Sequence, residues 1–121
     1  MDSEKLAERL VEPIKESVTT LPGATLNALK RAAQEEDDGA KVQLDAILKA
    51  VEIGEREGIP ICQDTGTPTF YVQVGSDFPA IDQLDDFQKG VRRGSKRETE
   101  EVPIRQNTIH PITGKNPGDN N

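Results

Sequence analysis

Six consecutive residues, Cys62-Gln63-Asp64-Thr65-Gly66-Thr67, set a thiol, a carboxamide and a carboxylate beside a tight polar turn. Cys62 is the only cysteine in the sequence. A lone cysteine commonly packs as a small hydrophobe, but these hydrogen-bonding, turn-forming neighbours are poor company for a core. Roughly forty residues later, Ile104–Asn120 brings Arg105, Asn107 and His110 together with Pro111, Pro117, Gly114 and Gly118. Arg105 offers the planar fork that grips a carboxylate through two parallel hydrogen bonds, which a lysine cannot do.

Three chemistries fit the cysteine turn. The run Asp64-Thr65-Gly66-Thr67 is the turn that carries the paired aspartates of aspartic proteases, where two close carboxylates share one proton. That turn follows an apolar strand, whereas Gln63 precedes it here and the upstream sequence is helical in pattern. An Asp-x-Thr-Gly-Thr loop also accepts a phosphoryl group in some phosphatases and pumps, but the further lysine and aspartate motifs of that chemistry are missing. The third is metal or cluster chemistry, with a thiolate as ligand and polar neighbours acting on what the metal holds. Each candidate also has a plainer reading. Asp64 could close an Asx turn on Gly66, Arg105 could be a surface arginine, and His110, Asn107 and the Asn116–Asn120 stretch could order a loop.

The elements that must position these residues are mainly helical by pattern. Leu6, Leu10, Ile14 and Val18 form one stripe of a helix over 3–20, in which Pro13 predicts a kink or a second start near Glu12. A second, alanine-rich helix is expected over 24–36. A third is marked by Ala40, Leu44, Ile47, Leu48 and Val51, and Gly58 and Pro60 end it. Phe70, Val72 and Val74 alternate with Tyr71 and Gln73, which predicts a short strand over 69–74. Ile81, Leu84, Phe87 and Val91 predict a helix near 80–96, with Arg92, Arg93, Lys96 and Arg97 at its solvated end. The fold class expected is therefore α+β. It comprises a helical part at 1–58, a loop, strand and helix at 59–97, and an ordered loop at 98–121, together forming an incomplete domain.

Composition narrows the partners. The chain has 121 residues, 33% apolar, and a formal charge of −7, which disfavours nucleic acid as a partner. Acidic residues outnumber basic ones two to one in residues 1–91, whereas residues 92–121 are net basic and suit an anionic ligand. No apolar run reaches the ~20 residues of a membrane span, and the charged N-terminus is unlike a signal peptide. A single cysteine excludes an internal disulfide and points to a reducing, cytoplasmic setting.

The two chemical segments together carry a family resemblance. "PICQDTGTPTFYVQVG" at 60–75, followed by "IRQNTIHPITGKNPGDN" at 104–120, resembles the iron–sulfur-dependent (class I) fumarate hydratases and the related L-tartrate dehydratases. The approach "RAAQEEDDGAKVQLDAILKAVEIGEREGIPICQDTG" at 31–66 is similar too, and the likeness covers essentially the whole chain as the N-terminal part of an α subunit. In that family three cysteines hold a [4Fe–4S] cluster, whose open iron acts as a Lewis acid while water is added to or removed from a double bond. The resemblance implies that Cys62 is a cluster ligand, that Gln63 and Asp64 face the substrate, and that Asp64 transfers a proton or orients the hydroxyl. It implies that Arg105 binds a carboxylate of a small dicarboxylate, fumarate or malate, with tartrate the alternative. Two departures accompany it. Pro117 stands where the family has threonine, and two further cluster cysteines would come from other α- or β-domain segments, in cis or as separate chains of an oligomer. Alone, the chain is expected to be inactive. A helical module that has lost its cluster is the non-enzymatic alternative.

Overall fold

The computed structural model describes residues 2–78 and 83–120 and contains four helices among them. Helix α1 spans Ser3–Thr19, and the carboxylate of Asp2 caps it by accepting from the Glu4 and Lys5 amides at 3.0 and 3.4 Å. It passes through Pro13 as one helix, so of the two expected outcomes, a kink or a second start near Glu12, the second start does not occur. Pro13 and Arg9 are both exposed, so water can satisfy the carbonyl that Pro13 leaves without an amide. Helix α2 spans Gly23–Glu35 and α3 spans Asp38–Glu57. Gly58 ends α3 in the left-handed region at φ 65°, and the Ile59 amide reaches back to the Gly54 carbonyl at 3.2 Å. Helix α4 spans Leu84–Glu101, five residues beyond the expected end, and stops ahead of Pro103. Ile81 and the expected start near residue 80 lie outside the described residues.

The expected strand over 69–74 is not formed, and no strand occurs among the described residues. Only the first step of the alternation is kept: Phe70 packs on the core and Tyr71 is 96% exposed, but Val72 and Val74 are exposed as well. A period of two sets which side chains share a face; it does not provide a neighbouring backbone to pair with. The stretch pairs with no other strand among the described residues, so the architecture is helical with long irregular connections and not α+β.

Packing is uneven. Helices α1 and α4 form the main pair, α2 and α3 form a second, and α3 touches α1 only lightly. The face of α4 turned inward is Gly90, Gly94, Ser95, Glu98 and Thr99, not the apolar stripe read from the sequence, whose Leu84 is 46% exposed. A Cβ on Gly90 would lie 3.0 Å from the Ser3 carbonyl oxygen, and one on Gly94 would lie 3.0 Å from Leu10 Cβ. The two glycines therefore let the backbones approach closely. Arg97 pairs with Glu4, and Arg93 reaches Glu4 at 3.6 Å and Ser3 Oγ at 3.0 Å. These arginines, expected at a solvated helix end, tie α4 to the start of α1. Exposed pairs of this kind contribute little stability, because water screens them. The small core is Ile14, Val102 and Ile104, with Leu10, Val18 and Phe70 against it. It sits where the residues following α4 and the residues following the cysteine turn meet the C-terminal half of α1.

Candidate functional site

The cysteine turn leaves the helical body at a fixed point. The Ile61 amide donates to the Val18 carbonyl at 3.0 Å, and Ile61 lies so close over Gly54 that a Cβ there would sit 2.9 Å from its side chain. Immediately afterwards Cys62, Gln63 and Asp64 are all exposed, and Cys62 is a free thiol. Gly66 completes the turn at φ 72°, in the region that glycine enters without steric penalty.

The second segment is hydrogen-bonded directly to this turn. The Arg105 amide donates to Thr65 Oγ1 at 3.1 Å, and Asn107 Nδ2 donates to the Gly66 carbonyl at 2.8 Å. Arg105 is exposed, and its guanidinium makes no hydrogen bond or ion pair among the described residues. The same holds for the carboxylate of Asp64, so the Asx turn onto Gly66 is not made. Two segments forty residues apart are thus joined by two hydrogen bonds, each between a backbone group and a polar side chain, with the side chains of Asp64 and Arg105 left facing water.

The 106–120 loop is ordered from within. His110 Nδ1 accepts from the Ile112 and Thr113 amides at 3.3 Å each, which gives this imidazole a turn-capping task. Asn116 Oδ1 accepts from the Gly118 amide at 2.8 Å, and Asn116 Nδ2 donates to the Gln106 carbonyl at 2.7 Å. Pro117 fits between them, because the second position of such a turn favours proline's fixed φ. Asn120 is 4% exposed and bridges the loop to α4.

Two features escaped the sequence reading. Asn120 was one of several loop asparagines, with only its place in an Asn-Pro-Gly-Asp-Asn turn to mark it. Glu98 lay in an acidic run, although it falls four residues beyond Gly94 on the same helix face. Its side chain is fully buried and both carboxylate oxygens lack a hydrogen-bond partner among the described residues. Burial first, then the nearby Glu101 and Glu12, push its carboxyl up to about 7 against the opposing pull of Lys15.

Behind the turn, a cleft of about 330 Å³ is lined by residues that include Ile14, Val18, Thr65, Thr67, Phe70 and Ile104, none of them charged. Among the described residues no three His, Cys, Asp or Glu side chains converge as a metal-binding group. Cys62 is exposed and mounted on a braced turn, so it fits a cluster as one ligand. The donor set of this chain does not complete one.

The sequence from residue 7 to 121 matches the family model described as fumarate hydratase (Fumerase). The chain belongs to that family. Its members include hydro-lyases named fumarate hydratase and tartrate dehydratase. A Methanocaldococcus jannaschii protein provisionally named L(+)-tartrate dehydratase subunit alpha is 34% identical over 113 residues, 93% of this chain and 39% of that protein. A Geobacillus stearothermophilus protein provisionally named fumarate hydratase class I is 33% identical over 119 residues, 97% of this chain and 22% of that protein. The L(+)-tartrate dehydratase subunit alpha of Escherichia coli K12 is 29% identical over 109 residues, 83% of this chain and 34% of that protein. The chain thus spans about a fifth to two fifths of the length of these relatives. No helix among the described residues is long and apolar enough to cross a membrane.

Proposed function

We propose that this chain supplies the cysteine turn and the carboxylate-binding loop of a [4Fe–4S] hydro-lyase that interconverts fumarate and malate in the cytoplasm. The observation that carries the reading is the pair of hydrogen bonds, Arg105 to Thr65 and Asn107 to Gly66, that hold the two family segments together. Cys62 is one cluster ligand, and the remaining ligands come from other α- or β-domain segments in an oligomeric enzyme. When bound, the cluster supplies Lewis acidity toward a carboxylate and hydroxyl.

The residues of this chain do the rest of their share by position. Arg105 grips one substrate carboxylate through its planar fork and fixes the orientation of the double bond. Asp64, an exposed carboxylate two residues from the thiol, holds or moves the proton exchanged with the reacting carbon or hydroxyl. Gln63 donates and accepts beside it. The cleft behind the turn, lined by uncharged residues, leaves the charged contacts to the exposed side chains of Arg105 and Asp64.

A tartrate substrate is the second reading, favoured by the relatives named tartrate dehydratase subunit alpha. The test is to assemble the chain with its complementing polypeptide and assay fumarate, malate and L-tartrate side by side. Arg105→Lys keeps the charge and loses the bidentate contact, so KM should rise about tenfold or more. Turnover of none of the three, or unchanged constants in the variant, overturns the proposal.

A further inference from the structure

We infer that Asn120 is a positioning residue that sets Arg105 against the cysteine turn, an inference that rests on the reading of Arg105 as the carboxylate clamp. Asn120 is 4% exposed although residues 109–117 of its loop are exposed, and it holds a left-handed backbone at φ 55°. Asparagine tolerates that conformation better than most residues. Its side-chain oxygen accepts from the Asn107 amide at 2.7 Å. Its side-chain nitrogen donates to the Arg105 carbonyl at 3.1 Å and to Thr99 Oγ1 at 3.2 Å. Thr99 Oγ1 in turn donates to the Ser95 carbonyl at 2.8 Å, within α4.

The side chain is therefore the joint between a rigid helix and the arginine loop. A backbone amide on one side requires an oxygen and a backbone carbonyl on the other requires an N–H, so the carboxamide can sit only one way round. Aspartate has the same shape but would turn an acceptor toward the Arg105 carbonyl. Arg105 ends up held at both of its backbone groups, by Thr65 on the amide and Asn120 on the carbonyl, while its guanidinium stays free. A cation held this way loses little freedom on meeting a carboxylate. Asn107, whose amide Asn120 also fixes, carries the restraint on to Gly66.

Three variants separate positioning from a general role in stability. Asn120→Gly removes the side chain and keeps the backbone conformation, Asn120→Asp keeps the shape but replaces the donors by a charged acceptor, and Thr99→Val breaks the link to α4 in case the first two do not fold. In the full chain, hydrogen exchange at the Arg105 and Asn107 amides should accelerate about tenfold or more in Asn120→Gly, the loss of roughly one hydrogen bond. Amides in the middle of α1 and α4 should be unmoved. In the assembled enzyme, KM for fumarate or tartrate should rise about tenfold with kcat within about twofold, as expected for lost uniform binding. Combining Asn120→Gly with Arg105→Lys should then cost less than the sum of the two. Unchanged exchange at Arg105 and Asn107, or fully additive kinetic effects, overturns the inference. An assembled enzyme that turns over neither substrate refutes the clamp reading instead, and the exchange result still decides whether Asn120 fixes the loop.

Discussion

Cys62 emerges from the helical body one residue after the Ile61–Val18 hydrogen bond and is exposed as a free thiol. Its turn is braced three and four residues on, at Thr65 and Gly66, by the segment that carries Arg105. The position is therefore fixed while the sulfur stays open to solvent, which suits a ligand shared with another segment better than a packing role. An alkylating reagent should modify Cys62 completely in the native chain, as read by mass spectrometry without denaturant. Protection until urea is added would make it a core residue and remove it from the site. At this scale the sequence was most informative about residues whose chemistry is distinctive by type: Cys62, Gln63, Asp64 and Arg105 stood out, and all four are exposed around one braced turn. Asn120 did not, because an asparagine's role depends on which backbone groups it meets, and those lie 13 and 15 residues away along the chain.

Helix α4 meets α1 through a face that hydrophobic periodicity did not mark. The spacing of Leu84, Phe87 and Val91 marked a helix, but its inward face is set by Gly90 and Gly94, where small size matters more than apolarity. Alanine normally favours a helix over glycine by up to about 1 kcal/mol. Gly94→Ala should nevertheless destabilise the fold by roughly 1–3 kcal/mol, because its Cβ would press on Leu10 Cβ and the Ala7 carbonyl. Gly39→Ala, in α3 with nothing within 4 Å, should stabilise by up to about 1 kcal/mol in the same urea titration. Opposite signs for one chemical change would establish the close approach; equal signs would refute it. The same seam holds Glu98, faced by Glu12 and Lys15 of α1 and by Glu101 of its own helix. Its carboxyl is raised from an ordinary 4.5 to about 7, so the fold favours the protonated form. This contribution to stability is complete below the unfolded value and is lost as pH rises through about 7. Glu98→Gln should match the parent near pH 4 and exceed it at pH 8 by roughly 1–2 kcal/mol, allowing for the pull of Lys15. A constant difference across that range would show that the seam does not discriminate against the charge.

Taken whole, the molecule covers little of its own apolar surface. Among the described residues the buried apolar side chains are only Ala7, Ile14, Ala33, Val51, Val102 and Ile104, and Tyr71, Ile112 and Val42 are 96%, 89% and 68% exposed. A sequence that is 33% apolar has little from which to build a large core, and helix positions followed from spacing and from the Gly58 and Pro60 stop. The missing strand was not foreseeable in that way, since alternation at 70–74 specifies faces and not a partner. The relatives are about 2.5 to 4.5 times as long as the segment matched here, and the donor set has the same partial character. A [4Fe–4S] cluster needs more thiolates than one, and no other His, Cys, Asp or Glu group in the described residues converges to assist Cys62. Anaerobic iron and sulfide should therefore leave the chain alone without a stable brown chromophore. The same treatment with a complementing polypeptide that brings two cysteines should produce one, with near-stoichiometric iron. Cys62→Ser should abolish that absorbance while leaving the circular dichroism of the helices unchanged, because the substituted side chain is exposed. A cluster that forms equally well with serine at this position would place all of its ligands elsewhere and leave the cysteine turn with a different task.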